Sequence, residues 1–423
     1  QEFMTFFPNA KVLVPQDADY EARNRKTFIN KIISNDYDAV ILSYEMFEAV
    51  PLSGEAMRSF YQAQIDEAME ALQAAKDDDT EGDRYYSRAK PLNKDWTVKE
   101  IEKQLEKLQK RIEELDSKNK RDEDNVDFEE LGVDGLFVDE AHNFKNLRVY
   151  THLQNVAGIN TSAESGRAFD LLAKVQHMQK LNGGKGVFFA TATPVMNTLG
   201  ELFVMQRYLI PNVMRDKGIY NFDAWVNSFA SVMKELSINA TGTGYKVKDT
   251  LSKFVNLPEL QTMFRSFADV IPVVEGLKIP EVKGGKPFIH EVEPTEFQKE
   301  YVKELADRAN NIKGRPEKGA DNMLKITTEG RKVALSGRLV DVTQDIELDG
   351  KLAVTAKEIV RVYKESKKHK GTQLVFMDIG VPGANEALNM YAALKDMLVA
   401  AGIPSAQIKT IYDAKNEVGR KKL

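Results

Sequence analysis

The sequence predicts an α/β protein: short parallel strands alternate with helices on both faces of the sheets, in two partial lobes, with an inserted helical hairpin and helical protrusions. Three observations predict it. Short apolar runs alternate with amphipathic stretches in residues 1–54 and 128–212, the pattern of βαβ units. Two heptad-spaced seams occupy residues 55–127, where the composition turns sharply polar. Two apolar runs, at 135–138 and 186–190, each break off into a cluster of chemically active residues.

A chain of 423 residues has room for two or three domains with separate cores. With 42% hydrophobic and 29% charged residues it reads as soluble and globular. A net charge of −5 and a pI of 5.8 give no global basic surface. That argues against tight non-specific nucleic-acid binding by the whole surface and leaves room for a local basic groove. The chain has no cysteine, which excludes disulfides and thiolate metal sites and suits a reducing cytoplasm. His142, His152, His177, His290 and His369 form no pair at ligand spacing on one helix, so no zinc is expected. No apolar run reaches the length of a membrane span, and no leader pattern opens the chain. Its start, Gln1-Glu2-Phe3-Met4, reads as a piece of something longer.

In order, residues 10–15 form the first expected strand, 23–34 a helix with Phe28, Ile29, Ile32 and Ile33 inward, and 39–43 the second strand, followed by Tyr44. Tyr61, Ile65, Ala68, Leu72 and Ala75 form one seam; Val98, Ile101, Leu105, Leu108, Ile112 and Leu115 form the other. An antiparallel hairpin with an acid-rich connector at 77–83 is expected, its flanking Lys and Glu a solvated face. Residues 160–167 read as a loop and 168–181 as a helix. Asn182-Gly183-Gly184-Lys185-Gly186 imitates a phosphate loop but has Gln179 where the first Gly belongs and Gly186 where Ser/Thr belongs; it reads as a turn. Residues 196–209 form a helix that Pro211 ends, and 213–279 a helical protrusion dotted with Phe222, Trp225, Phe229, Phe254, Phe264 and Phe267. At this spacing such aromatics belong to a core sooner than to a base-stacking surface. A linker at 280–287 opens the second lobe, residues 280–423. Strands are expected there at 288–292, 373–378 and 408–412, helices at 296–311, 322–339, 351–366 and 385–402, and a basic loop at 310–321.

The chemistry concentrates at the two strand ends. The run Gly135-Leu136-Phe137-Val138 ends in Asp139-Glu140-Ala141-His142, and Gly186-Val187-Phe188-Phe189-Ala190 ends in Thr191-Ala192-Thr193-Pro194. Ligands of open α/β sheets bind beyond the carboxyl ends of strands, and a nucleoside triphosphate there brings Mg²⁺, which takes oxygen ligands. Asp139 is the candidate to hold the metal and Glu140 to activate water. Taken alone, two acids after a strand equally serve to cap a helix. The conjunction with the threonine-bearing turn is the stronger signal.

These two motifs resemble those of superfamily II helicase-type ATPases of the Swi/Snf-like branch. The resemblance covers most of the chain. It implies two RecA-like lobes, with residues 139–142 as the Walker B (DEAH) motif, in which His142 senses the γ-phosphate region, and residues 191–194 as the motif coupling nucleotide state to nucleic acid. It further implies ATP and Mg²⁺ as cofactors and double-stranded DNA as partner. Ser43 and Tyr44 are then candidate strand-backbone contacts, a reading balanced by that of polar strand ends facing solvent. Lys325, Arg331, Lys332 and Arg338 form a candidate phosphate-backbone surface. The insertion at 55–127 is similar to that of helicase modules fused to DNA methyltransferases in phages and conjugative elements, which implies a methyltransferase domain in the same polypeptide and a bacterial or phage cytoplasmic setting. The phosphate loop and the arginine finger are expected outside residues 1–423, so these residues alone are not expected to turn over ATP. A non-catalytic DNA-binding or scaffolding module is the rival from another class.

Overall fold

The computed structural model describes residues 2–77, 94–118, 126–151, 153, 156–157, 165–196, 198–238, 245–271, 284–312, 317, 319–383 and 388–414. Most of the acidic connector, most of the 160–167 loop, part of the 280–287 linker and part of the 310–321 loop lie outside them, as does His152. The chain divides into two compact units, residues 1–236 with 247–272 and residues 237–246 with 273–423.

The first unit opens with α1 (Glu2–Phe6), β1 (Val12–Leu13), α2 (Ala22–Ile33), β2 (Ala39–Val40) and α3 (Tyr44–Glu48). β1 and β2 pair in parallel, and Phe28, Ile32 and Met46 close the core beneath them. Next come α4 (Gly54–Asp77) and α5 (Lys94–Lys118). Ala68 and Ala71 meet Ile101, while Arg111 lies over Tyr61 at 5.8 Å, so the two helices run antiparallel. Their base enters the main core through Phe60, Ile65 and Leu108. Two buried arginines fasten the pair to the unit: Arg148 meets Glu100 of α5 at 3.0 Å, and Arg207 meets Glu67 of α4 at 2.5 Å.

β3 (Leu136–Val138), β4 (Val156–Ala157), α6 (Gly166–Leu181) and β5 (Val187–Phe189) follow. β3 and β5 are parallel neighbours, with Phe137 opposite Phe188 and Val138 opposite Phe189. The run at 135–138 is not buried on both faces, as a wholly apolar strand suggests: Val138 is 7% exposed and Phe137 is 76%. Phe137 and Phe188 instead stack on the open face at 4.5 Å. Gly186 feeds β5 with φ +86°, and a Cβ there would lie 2.6 Å from the Asn182 amide and 3.2 Å from the Asp134 carbonyl. Gly186→Ala is therefore expected to cost about 1–3 kcal/mol, read from urea unfolding.

Pro211 does not simply stop α7 (Gly200–Leu209); it occupies the first turn of α8 (Pro211–Asp216), where its missing N–H is harmless. The stretch expected as a helical protrusion holds α9 (Phe222–Phe229) and α10 (Leu257–Arg265), but between them lie β6 (Ala230–Ile238) and β7 (Tyr245–Phe254). Val255 N donates to Phe229 O and Thr250 Oγ1 to Met233 O, so the strands run in opposite directions, and β4 joins β7 in parallel. Phe222, Trp225 and Phe229 keep helical spacing, whereas Tyr245, Val247 and Leu251 alternate with Lys246 and Lys248, as in a strand. Phe222, Trp225 and Phe229 are buried, and Trp225 donates to Gln206 at 2.8 Å.

Beyond residue 272 the second unit holds α11 (Glu296–Asn310), α12 (Met323–Leu335), α13 (Lys351–Ser366) and α14 (Met390–Ala400), with short 3₁₀ turns. Leu305, Ile326 and Val333 make one small core; Leu352, Ala356, Met390, Leu394 and Leu398 make another. None of the strands expected at 288–292, 373–378 and 408–412 forms. Side chains tie the second segment where a ladder would: Gln373 donates to Ile359 O, Tyr391 OH to Met377 O, and Arg331 to Asp378. Leu374 and Phe376 are left exposed. In the third, Thr410 and Asp413 form a capping box that turns the chain into a 3₁₀ helix. The sheet elements of the described residues thus belong almost wholly to the first unit, and a doubly covered sheet in the second is corrected to a helical assembly.

Candidate functional site

The β3–β5 ladder continues one step past the strand ends. Ala190 N donates to Val138 O at 2.8 Å and Ala141 N to Ala190 O at 3.0 Å. This brings residues 139–142 and 191–194 side by side at the carboxyl ends of two adjacent parallel strands. Ala141 and Phe144, both buried, anchor the 3₁₀ turn Ala141–Phe144 that follows the acids. Phe144 O accepts from Tyr208 OH at 3.2 Å, which holds that turn against α7.

Glu140 has left-handed backbone, φ 46°, which is costly for a residue with a Cβ and clusters at functional sites. Its N–H donates to Asp139 Oδ1 at 2.8 Å, and its carboxylate caps nothing, contrary to the helix-cap reading. Glu140 Oε2 lies instead 3.3 Å from His142 Nδ1, with the Glu140 side chain 58% exposed. The same His142 nitrogen lies 3.0 Å from Thr191 Oγ1, which also accepts from Thr193 N at 3.1 Å. A Thr hydroxyl that accepts from Thr193 still has its proton to give, so Thr191 can donate to Nδ1 where that nitrogen is bare, and where Nδ1 carries hydrogen it can donate to Thr191 or to Glu140. His142 therefore sits where the acidic turn and the threonine turn compete for one nitrogen.

Asp139, Glu140, His142, Thr191, Ala192, Thr193 and Pro194 are thus gathered in one place. The donor set suits a cation that takes one or two protein carboxylates and keeps phosphate and water oxygens for the rest: Asp139 Oδ1 is engaged by Glu140 N–H and the carboxylate is otherwise exposed. Among the described residues no group of three or more acids and histidines could hold a metal alone.

Ser43 caps α3, accepting from Met46 N at 3.3 Å, and Tyr44 OH donates to Asp139 O at 2.5 Å. Both residues are half-buried, and the polar group of each is engaged within the protein. Lys325, Arg331, Lys332 and Arg338 are on the second unit. Lys325 pairs with Asp321 at 3.2 Å and Arg331 with Asp378 at 2.6 Å, while Lys332 and Arg338 are half-buried. Arg338 lies beyond α12, in a 3₁₀ turn capped by Ser336.

Two functional neighbours escaped sequence reasoning. Lys145 meets Glu201 at 3.0 Å, and Glu201 also accepts from Met196 N at 2.6 Å, so one buried carboxylate ties the segment after His142 to the segment after Pro194. The available signal was a lone acid among the apolar residues at the head of α7, since a buried charge needs a partner.

Residues 1–271 match the family described as Probable helicase domain. The chain belongs to this family. It is also 26% identical over 291 residues to Defense against restriction protein B of Escherichia phage P1, an alignment covering 67% of this chain and 12% of that protein. No solved structure matches the chain. The helicase-like domain contains the whole cluster of acids, histidine and threonines, and no helix among the described residues is long and apolar enough to cross a membrane.

Proposed function

We propose that this helicase-like domain is part of an ATP-driven motor of the Swi/Snf-like, superfamily II kind that moves on double-stranded DNA. Its first unit contributes one face of a RecA-like ATP site. One observation carries the reading: the acid-bearing and threonine-bearing turns are neighbours, joined through His142 and Thr191 at 3.0 Å. Asp139 holds Mg²⁺ with ATP, and Glu140 orients the attacking water and takes its proton. A bound Mg²⁺ supplies charge neutralisation on the triphosphate oxygens. His142, hydrogen-bonded to one turn or paired with the other, reports the state of the acids to Thr191. The Thr191–Thr193 turn passes that state to the DNA track, with Lys325, Arg331, Lys332 and Arg338 as phosphate contacts of the second unit.

Thr191→Val keeps the shape of the side chain and removes the hydroxyl. In the native full-length protein it is expected to lower DNA-stimulated ATP turnover about tenfold, roughly the weight of one hydrogen bond to a histidine in a coupled site, with ATP affinity unchanged. Stimulation that survives intact would remove Thr191 from the relay. The phage relative's name concerns protection against restriction, and the match supports a DNA-directed role here. A scaffold that keeps the fold without catalysis is the rival reading, favoured by the absence of a Gly-x-x-x-x-Gly-Lys-Ser/Thr pattern from these 423 residues. A cytoplasmic setting and a methyltransferase domain in the same polypeptide complete the proposal.

A further inference from the structure

The peptide joining Asp139 to Glu140 is held at both ends. Its N–H donates to Asp139 Oδ1 at 2.8 Å, and its carbonyl, that of Asp139, accepts from Tyr44 OH at 2.5 Å. The orientation of this peptide plane sets the left-handed φ of 46° at Glu140. A flip of the plane would break both bonds and release the left-handed conformation from which the Glu140 side chain projects toward His142. Left-handed backbone at a residue with a Cβ persists only when its surroundings over-determine it. The Tyr44 hydroxyl is the part of those surroundings contributed by a distant segment.

Tyr44 is built to hold still. Ser43 caps the first turn of α3, fixing the backbone from which the ring projects. The ring meets buried Phe144 edge-on at 5.1 Å, and the Arg167 guanidinium lies over it at 5.5 Å. Arg167 is held in turn by Glu48, at the end of the same helix, at 2.5 Å. A ring seated in this way delivers its hydroxyl to one place, the Asp139 carbonyl.

We propose that Tyr44 is a positioning residue that keeps the Asp139–Glu140 peptide unflipped and so aims the Glu140 carboxylate. The inference rests on the reading of Glu140 as the base that activates water, and it gives Tyr44 a task other than a nucleic-acid contact. The hydroxyl touches neither ATP nor water in this role; it acts through the backbone.

Tyr44→Phe removes the hydroxyl and leaves the ring against Phe144, so the fold is expected to persist. Two readouts on the native full-length protein test it. Amide hydrogen exchange at Glu140 and Ala141 needs no turnover and is expected to quicken by a factor of about five, the weight of one hydrogen bond. The kcat of ATP hydrolysis is expected to fall about tenfold while KM for ATP and affinity for duplex DNA stay unchanged. Arg167→Gln, which loosens the seat but keeps the hydroxyl, is expected to give a smaller change of the same kind. Unchanged exchange and unchanged kcat would overturn the proposal. Weakened DNA affinity with unchanged exchange would overturn it too, and make Tyr44 a DNA contact. If the unsubstituted protein shows no turnover, the motor reading fails, and exchange at Glu140 alone decides whether Tyr44 holds the turn.

Discussion

Glu140→Gln in the native full-length protein is expected to reduce DNA-stimulated ATP hydrolysis by about 10²–10⁴-fold while ATP still binds. The substitution keeps the size of the side chain and a carbonyl oxygen that can face His142. What it removes is the capacity to take a proton from water. The structural alternative, that Glu140 is an acid placed to cap the following turn, predicts a loss of stability instead. That alternative has little to stand on, because the carboxylate makes no cap bond to the 3₁₀ turn it precedes. Its engagement is with His142 at 3.3 Å, on a side chain more than half exposed toward the site. Turnover and thermal stability measured on the same variant separate the two: a lost rate with an unmoved melting temperature belongs to the base, and the converse to the cap.

Arg207→Met is expected to produce the largest loss of stability in the first unit, about 3 kcal/mol, near the low end of what breaking a buried pair costs. Arg207 donates to Arg148 O at 3.1 Å, Gln64 at 3.2 Å and Glu67 at 2.5 Å, and it is almost fully buried. Removing its charge leaves Glu67 facing a desolvated space, although a 16% exposed flank of Glu67 softens the cost. Burial already pushes the Glu67 carboxyl above its ordinary range, and the Arg207 guanidinium pulls it back. Without Arg207 the folded state binds a proton that the unfolded chain at the same pH has released. The variant's deficit is therefore expected to be small below the unfolded carboxylate pKa and to grow as pH rises toward the elevated folded value. Urea unfolding of wild type and variant at acidic and neutral pH checks the sign; Glu67→Gln combined with Arg207→Met is expected to recover part of the loss. Since Arg207 and Arg148 fasten α4 and α5, the same variant should loosen the helical pair before the rest of the unit, read by hydrogen exchange.

The adjoining turns were legible because two apolar runs each ended abruptly in polar residues, a conjunction that says more than either run alone. The heptad seams likewise gave α4 and α5, since spacings of three and four admit only one helical face. Legibility failed where an apolar run had no strand to pair with. Residues 373–378 carry the Leu-Val-Phe signature of a buried strand, yet Gln373, Met377 and Asp378 are tied to helices through side chains, and Phe376 faces out. Such ties depend on residues fourteen to forty-seven positions away, beyond any local pattern. The strands β6 and β7 were hidden for a different reason: Phe222, Trp225 and Phe229 just upstream do keep helical spacing, and the change of period from about 3.6 to 2 falls at Ala230. In the site itself, sequence pointed to the acids, the histidine and the threonines but not to their restraints. The Tyr44 hydroxyl reaches Asp139 across 95 residues of chain and the buried Glu201 carboxylate reaches Lys145 across 56, and though a polar residue after a strand and a lone acid on an apolar helix stand out locally, neither shows which distant group it will meet.

On the proposed function, the neighbouring acid and threonine turns serve a motor rather than a platform. Displacement of a third strand from a DNA triplex by the native full-length protein tests it most directly, because a triplex is stripped only by a protein that travels along the duplex. Displacement that requires ATP and Mg²⁺ and disappears with Glu140→Gln is the expected result. Stable duplex binding with neither displacement nor ATP hydrolysis would contradict it and leave the scaffold reading in its place.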